Sequence, residues 1–139
     1  MTVTVYIDGL SEPHNPGTGT YGYLVYQEGK KLAEGSGLAG RGVTSNFAEY
    51  SALVEALRRL LAMGIDGDVL VRSDSKLLVG QMGEGWKVKG GMYMEKLKEA
   101  RELVKEFGSV RFEWIPREQN QEADLLTRVA YQRHGAGVG

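Results

Sequence analysis

A change of hydrophobic periodicity near residue 44 constrains the fold of this chain more than any other feature. Before it, β-branched and aromatic runs separated by turn residues predict three strands, over residues 2–8, 21–26 and 31–38. The links are short, which favours antiparallel pairing, and residues 40–43 are interpreted as a flexible joint. After it, apolar residues recur every three or four positions, and they predict a helix from a cap within residues 44–46 to Gly64.

The second half of the chain alternates between the two periodicities. It predicts strands over residues 67–72 and 110–115 and helices over residues 76–82, 92–107 and 121–131, with Asn120 as a candidate cap of the last helix. Strands joined through helical crossovers pair in parallel. The order strand-strand-strand-helix-strand-helix-helix-strand-helix therefore predicts one α/β domain. We assign it to residues 1–132 and expect a disordered tail over residues 133–139.

Composition excludes several classes of protein. A length of 139 residues, with 42% hydrophobic and 25% charged residues, is typical of an ordinary globular domain with one core. No apolar run is long enough to span a bilayer. The absence of cysteine excludes disulfides and thiolate metal sites and fits a cytoplasmic protein. The net charge of −1 means that any binding of nucleic acid must rest on local patches.

Four acidic residues fall where chemistry is expected in such a fold. Asp8 ends the first strand, Glu49 lies near the start of the first helix, Asp74 follows the fourth strand, and Asp124 lies near the start of the last helix. Ligand sites of open α/β sheets gather at the carboxyl ends of strands, so Asp8 and Asp74 meet if their strands are parallel neighbours. Clustered carboxylates without His or Cys indicate Mg²⁺ or Mn²⁺.

Each acid also has an ordinary structural interpretation. Asp8 fits a hairpin turn, and Glu49 fits a capping-box-like partner of Asn46. Asp74 fits a helix N-cap, and Asp124 fits a residue that complements a helix dipole. These alternatives stay open for each residue taken singly.

The residues around the acids are similar to the four motifs of the type 1 ribonuclease H family, within the ribonuclease-H-like superfamily. The resemblance covers about residues 3–130. The motifs are Tyr6-Ile-Asp8-Gly9 with Asn15-Pro16-Gly17, Thr44-Ser-Asn46-Phe-Ala-Glu49-Tyr50, Val71-Arg-Ser-Asp74-Ser75 and Asn120-Gln-Glu-Ala123-Asp124-Leu125. No single motif is specific, but the ordered set is.

This resemblance implies a five-stranded mixed sheet in the order 3-2-1-4-5 with helices on both faces. It implies an endonuclease that cuts the RNA strand of RNA–DNA hybrids by two-metal hydrolysis and leaves 5′-phosphate and 3′-hydroxyl ends. Asp8 would bridge both ions, Glu49 and Asp74 would serve the leaving-group metal, and Asp124 would serve the metal that holds the attacking water. The enzyme is expected to be a monomer, and double-stranded RNA is a further candidate substrate.

The resemblance also implies substrate contacts. Backbone groups of Gly9, Leu10 and Ser11, with Asn46 and Glu49, would recognise the ribose 2′-hydroxyl groups. Other candidates for binding the hybrid, some of which fit plain turn, cap or core residues equally well, are Asn15, Thr44, Lys76, Trp86, Lys87 and Lys89. The region from residue 87 to residue 105 holds six basic and three acidic residues, so a reduced basic handle and a solvated helix face are equal alternatives.

The chain departs from the family in the loop before the last helix. Many relatives carry a His there, whereas residues 116–120 contain none, and Arg117 and Glu118 are candidate auxiliary residues in its place. The competing hypothesis is a catalytically silent module of the same fold that binds hybrid or double-stranded RNA. Retention of all four acids argues against it, because clustered carboxylates facing phosphates do not help a pure binder. The fold also hosts nucleases that act on DNA.

Overall fold

A computed structural model describes residues 1–135 of the chain. The described part contains one five-stranded sheet and four helices, and a short 3-10 turn at Arg117–Gln119. The strands are β1 (Thr2–Glu12), β2 (Gly17–Gln27), β3 (Lys30–Val43), β4 (Asp68–Ser73) and β5 (Ser109–Trp114). The helices are α1 (Ser45–Ala62), α2 (Lys76–Gly83), α3 (Met94–Val104) and α4 (Gln121–His134).

The sheet has the order β3-β2-β1-β4-β5, as the resemblance implies. β1 pairs antiparallel with β2 and parallel with β4; β3 joins β2 antiparallel, and β5 joins β4 in parallel. The predicted mixed α/β sheet is therefore confirmed. Its central strand β1 has an antiparallel neighbour on one side and a parallel neighbour on the other, which brings the carboxyl ends of β1 and β4 together.

The core lies between the sheet and α1. Val5 and Ile7 on β1 and Val71 on β4 are fully buried, and so are Leu53 and Leu57 on α1. Burial of each such side chain contributes about 1.5–3 kcal/mol relative to exposure. α3 packs on α1, while α4 packs on β1, β2 and β3. Residues alternate between the two faces of a strand. Since Val5 and Ile7 face the core with α1, the residues between them point toward the other face of the sheet, where α4 packs.

The first strand is longer than predicted. β1 continues to Glu12, so Asp8 lies inside the strand and not in a hairpin turn. The parallel ladder with β4 ends at the pair Ile7–Ser73, whereas the antiparallel ladder with β2 continues through Asp8 and its partner Gly22. Asp8 is therefore the first residue beyond the β4 ladder, which leaves its side chain next to the end of β4.

The predicted flexible joint over residues 40–43 is wrong, because β3 continues to Val43 and pairs with β2 there. The glycines that made this strand look weak have a packing role. A Cβ on Gly35 would overlap the ring of Tyr23, and one on Gly37 would overlap Tyr21. The two rings stack with centroids 6.5 Å apart, so the glycines make room for them on the sheet.

The helices differ from the prediction mainly at their ends. α3 covers Met94–Val104, five residues fewer than predicted. α4 reaches His134, so Arg133 and His134 belong to the helix and not to the expected tail. Residues 136–139 of that tail lie outside the described residues. Among residues 1–135, no helix combines the length and the apolar character needed to cross a membrane.

Candidate active site

Three of the four predicted acids converge at the carboxyl ends of β1 and β4. Asp8 comes from β1, Glu49 from α1, and Asp74 directly follows β4. One carboxylate oxygen from each lies within 4.8 Å of the other two. Asp8 and Glu49 are only 6% and 8% exposed. The parallel pairing of β1 and β4 therefore produces the meeting of acids that the sequence predicts.

A close approach of β1 to α1 positions Glu49. A Cβ on Gly9 would overlap the backbone of Ala48 and Glu49, so only glycine allows this contact. The helix N-cap is Thr44, whose hydroxyl accepts a hydrogen bond from the Phe47 N–H at 3.1 Å. Glu49 lies further along the helix with a buried carboxylate, which rules out the capping-box interpretation.

A buried asparagine holds Asp74. The Asn120 amide donates to the Ile7 carbonyl at 2.8 Å and to Asp74 Oδ2 at 3.3 Å. Asn120 occupies the N-cap position of α4, as predicted, but it is 1% exposed and its side chain makes no capping hydrogen bond. The N-cap of α2 is Ser75, whose hydroxyl accepts from the Leu78 N–H at 3.2 Å, which rules out Asp74 as a cap.

Asp124 lies in the same cavity but outside the close group of three. This carboxylate cavity, about 290 Å³ in volume, is lined by Asp8, Glu49, Asp74, Asp124, Arg117 and Arg128 and by residues 9–12. Asp124 Oδ2 accepts a hydrogen bond from Arg128 Nε at 3.1 Å, one helical turn away. The fourth acid is thus paired with a cation of the protein itself.

The position of Asp124 depends on how α4 packs on β2. A Cβ on Gly22 would lie 2.8 Å from the Ala123 carbonyl oxygen, so the helix backbone contacts the strand directly. The buried Thr20 hydroxyl donates to the Thr127 carbonyl at 2.8 Å. These contacts fix the backbone of the helix that carries Asp124.

Burial and mutual repulsion raise the pKa values of the clustered acids. Burial, and then the charges of Asp74 and Asp124, raise the pKa of Asp8 to about 8. Burial, followed by the charges of Asp8 and Asp74, holds the pKa of Glu49 well above its usual range. Burial raises the pKa of Asp74 as well, against the hydrogen bond from Asn120 and the charge of Arg117. The cluster therefore has an excess of negative charge that a cation would relieve.

The donor set fits a hard divalent cation. Glu49 Oε2 is buried and has no hydrogen-bond partner among the described residues, although a buried carboxylate oxygen without a partner is costly. The cluster offers oxygen donors from three carboxylates. Mg²⁺ and Mn²⁺ prefer such ligands.

Two predicted substrate-binding residues, Asn15 and Ser11, use their side chains for hydrogen bonds within the protein. The Asn15 side chain accepts from the Ser45 N–H and donates to the Ser45 hydroxyl, both at 3.0 Å. Ser11 Oγ lies 2.9 Å from the carbonyl oxygens of His14 and Val43. Asn15 thus ties the β1–β2 connection to the start of α1, and Ser11 ties β1 to that connection and to the end of β3. The ordinary turn interpretation of Asn15 is the one these contacts favour.

Two exposed tryptophans form a groove beside Asp74. Trp86 packs on Gly80 and is 46% exposed, and Trp114 is 42% exposed. The Lys76 ammonium lies 5.0 Å from the centre of the Trp114 ring. The Trp114 indole N–H donates to the Asp74 carbonyl at 3.2 Å. The groove, about 190 Å³ in volume, therefore adjoins the carboxylate cavity.

The remaining predicted residues lie around these two features. Arg117 lines the carboxylate cavity, whereas Glu118 lines a neighbouring surface depression with Arg117 and Asp124. Asn46 is half-buried in the first turn of α1, and Lys87 and Lys89 are exposed on the segment between α2 and α3. Of the two auxiliary candidates, Arg117 lines the carboxylate cavity and Glu118 does not.

Two site features were missed from the sequence. Arg128 is four residues after Asp124 on one helix, a spacing that favours an ion pair and was readable in the sequence. Trp114 lies within the predicted last strand, and nothing in its local pattern indicates that it contacts the backbone of Asp74. The buried role of Asn120 likewise needs three elements that only the folded chain brings together.

The sequence of this chain is similar to those of known proteins. A family model described as reverse transcriptase-like matches residues 7–130. Ribonuclease HI of Halobacterium salinarum is 37% identical over 92% of this chain and 63% of its own length. A bifunctional protein of Mycobacterium tuberculosis is 36% identical over 94% of this chain. The chain spans only 35% of the length of that mycobacterial protein.

Solved structures of the same family have the same fold. The crystal structure of RNase H1 from Halobacterium salinarum superposes with a TM-score of 0.88 at 34% identity, over 96% of this chain and 99% of the other. LC11-RNase H1 in complex with an RNA/DNA hybrid superposes with a TM-score of 0.87 at 36% identity, over 94% of this chain and 97% of the other. Since the family model spans all four acids and these RNase H1 structures match nearly the whole chain, the chain belongs to the type 1 ribonuclease H family.

Proposed function

We propose that this protein hydrolyses the RNA strand of RNA–DNA hybrids, with divalent cations, and leaves 5′-phosphate and 3′-hydroxyl ends. The observation that carries the proposal is the convergence of Asp8, Glu49 and Asp74 within 4.8 Å. The buried, unpartnered oxygen of Glu49 supports it. A relative of the same fold, LC11-RNase H1, binds an RNA/DNA hybrid, which supports the choice of substrate.

The four carboxylates of Asp8, Glu49, Asp74 and Asp124 would hold the ions. When bound, two ions supply an activated water and stabilise the negative charge of the leaving 3′ oxygen. Asp8 is the central member, because its pKa responds to Glu49, Asp74 and Asp124. This central position agrees with the resemblance, which assigns Asp8 to both ions.

The protein supplies the positioning. Asn120 donates a hydrogen bond to Asp74, which holds that carboxylate toward Asp8. The low exposure of Asp8 and Glu49 excludes most water from the cluster, which strengthens electrostatic interactions there. Residues 9–11 line the carboxylate cavity, and Asn46 is half-buried in the first turn of α1. The backbone of residues 9–11 and the amide of Asn46 are our candidates for binding the 2′-hydroxyl groups, which distinguish RNA from DNA.

The tryptophan groove supplies a second contact with the duplex. Lys76 and the nearby Lys87 and Lys89 would bind phosphates, and the exposed faces of Trp86 and Trp114 would pack on sugars or bases. Because few cations are involved, we expect weak hybrid affinity that falls with added salt. An affinity unchanged across a salt titration would argue against this surface.

The test is cleavage of an end-labelled hybrid by the wild type, by Asp8→Asn and by Asp66→Asn, each with Mg²⁺, Mn²⁺ or EDTA. Asp66 is an exposed acid before β4, which makes its variant a matched control. We expect the wild type and the control to cut the RNA strand only with metal, and Asp8→Asn to lose about 10²-fold or more of this activity.

Parallel substrates separate the alternatives. Double-stranded RNA and double-stranded DNA of the same sequence measure the breadth of the activity. Hybrid binding without cleavage under any metal would favour a silent hybrid-binding module. Equal cleavage of double-stranded DNA would replace the proposed substrate with that of another nuclease class of the same fold.

A further inference from the structure

Asp124 differs from the other three acids in having a cation of the protein as its partner. Its Oδ2 accepts from Arg128 Nε at 3.1 Å, and the two side chains are 33% and 55% exposed. Asp8, Glu49 and Asp74 place carboxylate oxygens within 4.8 Å of one another, and Asp124 is outside that group. Both partners of the ion pair nevertheless line the carboxylate cavity.

The backbone under this ion pair is held in place. Thr20 donates to the Thr127 carbonyl at 2.8 Å, and the Thr127 hydroxyl donates to the Asp124 carbonyl. Gly22 lets the strand contact the helix backbone directly at Ala123. A change of partner at Asp124 therefore needs movement of the Asp124 or the Arg128 side chain, and not of the helix backbone.

We propose that Arg128 is a positioning residue that competes with a divalent cation for Asp124. The guanidinium holds Asp124 Oδ2 when no ion is bound, and an ion can bind this oxygen only when its contact with Arg128 is broken. This inference rests on the proposed function, which makes the carboxylate cavity a metal site. Its test needs no substrate, so its failure is distinguishable from a failure of the proposed function.

The size of the effect follows from the exposure of the pair. An exposed ion pair of this kind, between residues four apart on a helix, is worth roughly 0.2–1 kcal/mol. Loss of the competitor would therefore tighten cation binding about two- to fivefold. The same coupling would make the contribution of Asp124 to cation binding larger once Arg128 is removed.

The experiment is calorimetric titration of Mn²⁺ into the metal-free full chain. The variants are Arg128→Gln, Arg128→Lys, Asp124→Asn and the double variant of Asp124→Asn with Arg128→Gln. We expect Arg128→Gln to bind Mn²⁺ about two- to fivefold more tightly than the wild type. Arg128→Lys should lie close to the wild type, because a lysine one turn away still pairs with the carboxylate.

The matched control is Arg111→Gln. Arg111 also pairs with an exposed aspartate, Asp68, at 3.3 Å, but on the sheet and outside the carboxylate cavity. The proposal is overturned if Arg128→Gln changes Mn²⁺ affinity no more than this control does. It is equally overturned if Asp124→Asn weakens Mn²⁺ binding by the same factor with and without Arg128. Circular dichroism and the Tm of each variant establish that all of them are folded.

Discussion

At the scale of single residues, Gly9 decides whether Glu49 can reach Asp8. A Cβ at this position would overlap the backbone of α1, which cannot move aside like a flexible side chain. We expect Gly9→Ala to lower the free energy of unfolding by about 1–3 kcal/mol and to reduce hybrid cleavage. In Gly67→Ala the added Cβ meets no atom within 4 Å, so denaturant unfolding should show little loss or a small gain. Equal destabilisation of both variants would contradict this account.

Residues of the site were predictable to different degrees. The four acids follow from strand and helix ends, because these ends gather at one edge of the sheet. Asn120 looked like a helix cap, since its position just before α4 suits that role in any sequence. Its hydrogen bonds to the Ile7 carbonyl and to Asp74 join residues 113 and 46 positions away in the chain. Local patterns do not contain that information.

At the scale of elements, the packing of α4 on β2 determines where Asp124 lies. The Thr20 hydroxyl is fully buried and donates to the Thr127 carbonyl. We expect Thr20→Val to leave that carbonyl without its partner and to cost about 1–3 kcal/mol of stability. Thr18→Val, at a half-buried position on the same face of β2, should cost less than 1 kcal/mol by thermal or urea unfolding. A larger loss for Thr18→Val than for Thr20→Val would refute the role of this hydrogen bond.

The types of the elements were predictable, but their ends were not. Periodicity identified every strand and α-helix of the described chain, because alternation and helical spacing are local properties. Glycine misled the prediction at the ends. Residues 40–43 were interpreted as a joint, yet this stretch pairs with β2. Gly35 lowers the strand propensity of β3, yet it accommodates the ring of Tyr23. The reason for such a glycine is a neighbouring strand or aromatic ring that is distant in the sequence, so local patterns do not reveal it.

At the scale of the whole molecule, the acid cluster links stability to pH. The pKa of Asp8 is raised from 3.8 to about 8, so between these values the folded state binds a proton that the unfolded state releases. Without metal, the free energy of unfolding should therefore fall as pH rises from about 4 to 8, by roughly 1 kcal/mol per pH unit.

Urea unfolding at several pH values in EDTA measures this slope. Asp8→Asn should reduce the slope, because the amide does not titrate, while Glu49 and Asp74 still contribute to it. Asp66→Asn should retain the full slope. Saturating Mg²⁺ should also reduce the slope, since a bound cation favours the ionised acids over the protonated ones. A slope shared by the wild type and Asp8→Asn would show that Asp8 is not its origin.

The order of the acids along the chain has a consequence for translation. Asp8 lies on the first strand and Asp124 on the last helix, so the four carboxylates span almost the whole polypeptide. A growing chain on the ribosome has no complete set of acids until α4 has emerged and packed on β2. Asp124 is therefore the last of the four carboxylates to be translated, and its arrival on α4 completes the set.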